Sequence, residues 1–358
     1  MRRTSSDLPE PIAVKANPIP WAEESLPGIA GAVPPRPDRR NPLRAVLRVR
    51  ELFLFLFVLV AMIALNIAQP GFLGADNIKL LLLGMSFDAI IAVGMTILLV
   101  SGGFDLSVGA VMALSGVVAG LLMTSGVAVP LAIALGLASG LGIGLINGFF
   151  VAVVGVNPLI TTLGTMSMVQ GVTLLVSQSG VANLPAGFTT LGQGTIGGVQ
   201  YPIIFMFVAI VLGDILLRTS RFLRKNYYIG GNERSAILSG IAVNRIKLFN
   251  YAFTGVLAAV AGILTAARES NASPTTGGID ALNIIAAVVI GGASLAGGEG
   301  TVIGSFLGLL LLQIINNAIT GFGFNPNWSP FITGAVLIIA VSTDLLSRRI
   351  NTRGRARG

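Results

Sequence analysis

The chain of 358 residues is 53% hydrophobic and only 11% charged, with a mean hydropathy of +0.84, whereas a soluble domain carries roughly a quarter charged residues. That composition defines a polytopic membrane protein. The formal charge of +8 falls where membrane topology places basic residues, which argues against nucleic acid, and the absence of cysteine and histidine excludes disulfides, thiolate or imidazole metal sites and a histidine base.

Residues 1–50 hold nine of the 17 prolines, including Pro34-Pro35-Arg36-Pro37, with mixed charge and almost no apolar periodicity. Such a segment buries too little surface to offset its ordering entropy, so it reads as a disordered Pro/Arg-rich cytoplasmic tail; a docking arm for a partner is the alternative. No apolar segment precedes Leu52, so the head does not read as a secretory signal peptide.

A membrane domain is expected over residues 51–347. Apolar runs of about twenty residues cross a hydrocarbon core of about 30 Å. Such runs cover Leu52 to Ala68, Ile78 to Val100, Val108 to Met123, Val127 to Val153, Leu159 to Val176 and Tyr201 to Leu217. Four more follow: Leu248 to Ala267, Asp280 to Ile290, Val302 to Ile319 and Pro330 to Leu346. The fold class is therefore all-α, about ten transmembrane helices with Gly-rich broken or re-entrant segments.

Basic residues orient the bundle. Nine lie in residues 1–50, seven in 218–247 and five in the basic tail 348–358, leaving only Lys79 and Arg268 elsewhere. By the positive-inside tendency all three segments are cytoplasmic. Six runs separate the first two segments and four the last two, both even numbers, as two cytoplasmic termini require. The long outside loop is then Ser177 to Gln200, and another runs from Arg268 to Ile279.

The second and third runs are separated by Gly102-Gly-Phe-Asp-Leu-Ser-Val-Gly109. Because backbone amides in lipid must be paired, such a break belongs at an aqueous end, against protein or along a water-filled cavity. The same spacing of Gly, Gly, Leu and Gly recurs in Gly291-Gly-Ala-Ser-Leu-Ala-Gly-Gly298, which a parallel duplication or chance would explain. Asp105, with Ser107, suits an acidic N-cap for the next helix, and a place on a translocation pathway is compatible with that. Asp88 lies inside a run, where a carboxylate is solvated by a cavity, paired or protonated. Small residues, as in Leu135 to Gly148 with its Gly140 to Gly144 spacing, let helix backbones approach.

The segment 218–247 is expected to hold a short cytoplasmic helix. Asn232 caps it, Glu233 sits in its first turn, Ala236, Ile237 and Leu238 give it an apolar side, and Gly240 ends it. Such a helix suits a partner's groove; a solvated basic loop is the alternative.

Several motifs together carry a resemblance: Gly94-Met-Thr with Gly102 to Gly109, Asn157-Pro-Leu-Ile-Thr-Thr-Leu-Gly-Thr-Met166, Gly230-Gly-Asn232 through Leu238-Ser-Gly-Ile241, and Ala286-Ala-Val-Val-Ile-Gly-Gly-Ala-Ser-Leu295. In these the chain closely resembles the permease family of ribose-type ABC sugar importers, over about residues 50 to 345. Phe104 stands where the family usually has isoleucine, and Ser235-Ala236-Ile237 replaces a more alanine-rich run.

The resemblance implies a homodimeric or pseudo-dimeric pore in the lipid of a bacterial inner membrane. It also implies a cytoplasmic ABC ATPase that binds ATP and Mg, and an extracytoplasmic sugar-binding protein. The family's coupling helix maps onto Gly230 to Gly240, giving Gly230, Gly231, Asn232, Glu233, Arg234, Ala236, Leu238, Ser239 and Gly240 as ATPase-coupling residues. From polarity, the candidate pathway residues are Asp88, Ser101, Gly102, Gly103, Asp105, Asn157, Thr161, Thr162 and Thr165. The chain lacks any Gly-Lys pair and so cannot build a P-loop; no cofactor of its own is expected, and it reads as a transport subunit and not an enzyme. An autonomous proton- or sodium-coupled carrier titrating Asp88 or Asp105 is the second reading.

Overall fold

The structure is a computed structural model that describes residues 50–278, 280–339 and 342. The expected cytoplasmic tails, 1–50 and 348–358, lie outside the described residues except for Arg50. Each of the ten apolar runs falls on a helix within the described residues; the end of the last run, 340, 341 and 343–346, lies outside them. The helices are α1 (Arg50–Ala68), α2 (Ala75–Val100), α3 (Val108–Thr124), α4 (Val129–Gly148), α5 (Pro158–Val176), α7 (Tyr201–Thr219), α10 (Val243–Glu269), α11 (Asp280–Ile290) and α12 (Val302–Gly321), with α13 (Trp328–Ile339) last. Short elements join them: α6 (Ala186–Gln193), β1 (Thr195–Ile196), β2 (Val199–Gln200), α8 (Lys225–Gly231) and α9 (Glu233–Leu238).

Among the described residues seven helices are long and apolar enough to cross a membrane, and α3, α11 and the described part of α13 are apolar but shorter. At 1.5 Å per residue the 11 residues of α11 reach only about 16 Å, roughly half of a hydrocarbon core. The chain is a multi-pass membrane protein in which some helices stop short.

Burial ranks the helices. In the most apolar stretch of α2, 83% of residues are buried, against 67% for α10 and 11% for α1. α2 and α10 form the centre; α1 leaves Phe53, Phe55 and Phe57 exposed on its outer face. α10 packs on α4, α3 and α2, while α12 packs on α2 and α11.

The α4–α10 contact depends on missing side chains. Gly136, Gly140, Gly144 and Gly148 recur every fourth residue on α4 and are its buried face, with Ala132 and Asn147. A Cβ on Gly140 would sit 2.5 Å from the Gly255 carbonyl oxygen, and one on Gly144 would sit 2.5 Å from that of Tyr251. Backbones touch where no larger residue fits. Past Gly148 the helix widens into a π-turn over Phe149–Val154 and ends at Gly155, in the left-handed region at φ 84°.

The loop Ser177 to Gln200 is ordered. Gly197 and Gly198, both at positive φ, close the β1–β2 hairpin. Val181 and Ala272 exchange backbone hydrogen bonds of 2.9 and 3.0 Å, and Gln193 Nε2 donates to the Arg268 carbonyl at 2.9 Å. The two loops expected outside are thus stitched together. Phe188 of α6, fully buried, packs with Ile263 and Ala267 of α10 beneath them.

Gly144→Ala is expected to destabilise the protein by about 1–3 kcal/mol through overpacking, whereas Gly142→Ala, where a Cβ meets nothing within 4 Å, is expected to be neutral or better. Thermal unfolding in detergent reads both, and equal effects would contradict the seam.

Candidate functional site: a glycine junction and its helical arm

α2 and α11 end in the same way. After α2, Gly102 N–H donates to Leu99 O at 2.9 Å and Gly103 N–H to Leu98 O at 2.9 Å, with Gly102 at φ 80°. After α11, Gly292 N–H donates to Val289 O at 3.0 Å and Ala293 N–H to Val288 O at 3.0 Å, with Gly292 at φ 108°. Both are Schellman closures, which satisfy carbonyls that lipid could not. The structural match is therefore Gly102 with Gly292, one residue away from the sequence echo, because the glycine that takes positive φ sets the register.

α8 brings a third backbone between the two breaks. A Cβ on Gly230 would overlap the Val100 carbonyl and the Gly298 amide, and one on Gly297 would lie 2.8 Å from the Gly230 Cα and 3.0 Å from the Gly102 Cα. Gly298 N–H donates to Val100 O at 2.9 Å, which joins the second break to the end of α2.

Polar groups surround this junction. Asp105 is buried; its Oδ1 accepts from Ser107 N–H at 2.7 Å and from the Ser107 hydroxyl at 2.6 Å, and Oδ2 accepts from Asn147 Nδ2 at 3.2 Å. Ser107 is the residue preceding α3, so the carboxylate shapes the start of that helix by holding its cap residue. Tyr251 donates its hydroxyl to the Phe104 carbonyl at 3.1 Å. Asn250 Nδ2 donates to Ser101 Oγ at 3.2 Å and to Asn226 Oδ1 at 2.8 Å.

On the other flank, Arg218 pairs with Asp214 at 2.7 Å and lies 3.8 Å from Glu51. The Glu51 carboxylate accepts from the Thr301 hydroxyl, and the Tyr227 hydroxyl donates to the Gly300 carbonyl at 2.8 Å. Burial pushes the Tyr227 phenol above the usual tyrosine range, with Arg218 opposing the shift.

The arm itself follows the sequence signals. Asn232 Oδ1 accepts from Ser235 N–H at 2.9 Å, opening α9. Gly240, at φ 76°, closes it with Ile241 N–H donating to Ala236 O at 3.1 Å. Glu233 pairs with Lys247 at 2.7 Å, tying α9 to α10. Ala236 is buried with Ile229, Val243 and Ile246, while Leu238 is 88% exposed and Ile237 and Arg234 are exposed beside it. Tyr227, Tyr228, Gly231, Ser235, Ser239 and Ile241 line an adjoining groove of about 520 Å³.

The structure brings Gly102 against Gly230, with Ser101 linked to α10 beside it and Asp105 held by Ser107 and Asn147 in the same break. The α5 candidates stand apart, on a helix that packs on α3 and α4. Asn157 caps α5 through Leu159 N–H at 2.8 Å; Thr162 donates to the Pro158 carbonyl at 2.9 Å and shares a buried stripe with Thr165, Val169 and Thr173. Thr161 is half-buried, its hydroxyl unpartnered. Asp88 is half-buried on α2, with Asp280 as its charged neighbour. Asn147, Asn226 and Asn250 escaped the sequence reading, although Asn147 and Asn250 are isolated amides within apolar runs and that was signal enough. Glu51 and Thr301, 250 positions apart, carry no such signal.

This arrangement defines a class: a helical membrane protein with broken helices that meet a short helical arm. Residues 77–341 match the family model described as "Branched-chain amino acid transport system / permease component", and the chain belongs to that family. The ribose import permease protein RbsC of Bacillus subtilis (strain 168) is 40% identical over 295 residues, covering 82% of this chain and 91% of that one. RbsC of Escherichia coli (strain K12) is 37% identical over 313 residues, 86% and 96% of the two chains. The galactose/methyl galactoside import permease protein MglC of the same strain is 36% identical over 310 residues, 81% and 92%. No solved structure matches.

Gly230→Ala is expected to pry the second break from α2 and speed cleavage after Glu299 by a glutamate-specific protease about tenfold, the scale of an overpacked backbone contact. Gly231→Ala, whose Cβ meets nothing within 4 Å, is expected to leave it unchanged; the same rate in both would contradict the junction.

Proposed function

We propose that this chain is the transmembrane permease subunit of an ATP-driven importer. It moves a monosaccharide, a ribose-like pentose, a hexose or a related polyol, across a bacterial inner membrane by alternating access. ATP and Mg are bound and hydrolysed by a separate cytoplasmic subunit. The observation that carries this reading is the arm: a short capped helix, α9, that leaves Leu238 88% exposed beside a groove, and that follows directly on α8, whose Gly230 is packed into the junction of two helix breaks. An exposed leucine on a rigid helix outside the apolar spans calls for a partner surface, and an ATPase fits.

On this reading all ten apolar helices are membrane segments, both termini are cytoplasmic, and Gly230 to Gly240 meets the ATPase. A second copy of the chain completes the pore; the exposed apolar faces of α4 and α5 leave area for it and for lipid. The opposite end receives a sugar-binding protein. Lys79 and Arg268, the two basic residues outside the basic segments, both line a pocket of about 380 Å³ there, with Asp76, Thr195 and Gln200, and rim charges of this kind steer association. The names of the relatives support a sugar as cargo.

The purified chain is expected to hydrolyse no ATP. Reconstituted with its ATPase and binding protein, it is expected to take up ribose or another monosaccharide in an ATP-dependent manner indifferent to an uncoupler. Uptake abolished by the uncoupler and independent of ATP would contradict the proposal. Asp105→Asn is expected to lower uptake, while Asp105→Ala, which strips Ser107 of its acceptor, is expected to cost about 1–3 kcal/mol of stability as well. Unchanged uptake by well-expressed Asp105→Asn would confine Asp105 to shaping the loop.

A further inference from the structure

Asn226 of α8 and Asn250 of α10 are both completely buried. One hydrogen bond joins them, and Asn250 reaches on to Ser101, whose hydroxyl donates to the Leu98 carbonyl at 2.8 Å. Yet Asn226 Nδ2 and Asn250 Oδ1 have no partner. Exchanging oxygen and nitrogen in both amides reverses the Asn226–Asn250 bond, obliges the Ser101 hydroxyl to give up Leu98 in order to donate to Asn250, and again leaves one amide donor and one amide acceptor orphaned. In either assignment two buried groups are unsatisfied, at about 1–3 kcal/mol each. An apolar pair would pack here at less cost. The node therefore holds spare hydrogen-bonding capacity.

Its position gives that spare capacity a use. One helical turn of α8 touches both breaks and α10: Asn226 meets α10 and through it Ser101, Tyr227 holds the Gly300 carbonyl, and Gly230 lies on Val100 and Gly298. Displacement of α8 cannot occur without disturbing both helix breaks at once.

We propose that Asn226 and Asn250 are positioning residues for transport: they link the α8–α9 arm to Ser101, and in the other transport state their spare donor and acceptor take new partners as α8 carries both breaks with it. The inference rests on the reading that the arm receives the ATPase. It deepens that reading by naming the joint through which the stroke passes.

The test uses the full complex in proteoliposomes. Replacing both partners by the isosteric Asn226→Leu/Asn250→Leu pair removes the links without orphaning either group. The double variant is expected to assemble and to hydrolyse ATP, but to move about tenfold less ribose per ATP. An unchanged ratio overturns the proposal while leaving the ATPase assignment intact. Absence of ATP-driven uptake with the unaltered chain removes both.

A second measurement keeps the test open should the double variant fail to fold. The chain has no cysteine, so spin labels are attached at Lys225→Cys, Ala296→Cys and Thr195→Cys, all exposed positions. The 225–296 distance is expected to stay fixed between nucleotide-free and ATP-bound complexes while 225–195 changes. A 225–296 distance that shifts as much as 225–195 shows that the break does not travel with α8, and overturns the proposal.

Discussion

Unpaired backbone amides are not tolerated in lipid, and most of this molecule follows from how that demand is met where helices stop. α2 and α11 end in Schellman turns at Gly102 and Gly292, and the segments beyond are packed against α8 and not left open. That solution needs three backbones within contact distance, so glycine is required at Gly230 and Gly297. It also needs rigid neighbours. The α4–α10 seam supplies them, because glycines that admit direct backbone contact make up in dispersion what lipid withholds as hydrophobic drive.

The two ends of the bundle are built differently. One end is glycine, amide and ion pair: a buried Asn226–Asn250–Ser101 chain on one side, and Glu51, Asp214, Arg218 and Thr301 on the other. The opposite end is a sewn cap, where Val181 pairs with Ala272 over the buried Phe188. A surface pair such as Arg218–Glu51, with Arg218 about half exposed, contributes at most about 1 kcal/mol. The rigidity at the glycine end comes instead from backbone contact, and the proposed arm inherits it: at Gly230 α8 is held by atoms that have no rotamers to change.

Much of this was legible in the chain. The apolar runs announced every long helix, Asn232 and Gly240 marked the ends of α9, and the Gly140 to Gly144 spacing named the seam. What stayed hidden depended on distance in sequence. The loop Ser177 to Gln200 read only as a long outside loop, because the pairing that fixes it comes from Ala272, far along the chain. The echo was placed one residue off because spacing alone does not say which glycine adopts positive φ. Polarity pointed to Thr162 and Thr165, but a threonine in an apolar helix can satisfy itself on its own backbone, as Thr162 does on Pro158. Of the candidates, Gly102 and Gly230 meet, and the resemblance to sugar importers carried by the motifs agrees with the family to which the chain belongs.

Amide hydrogen exchange at the junction tests the central claim most directly. Gly102, Gly103, Ala293 and Gly298 each donate to a helix-end carbonyl at 2.9–3.0 Å, so in the resting protein they should exchange as slowly as amides in the middle of α2. Exchange at these four positions as fast as in the exposed Gly197–Gly198 turn would mean that the breaks are open to water, and the packed junction on which the whole description stands would be wrong.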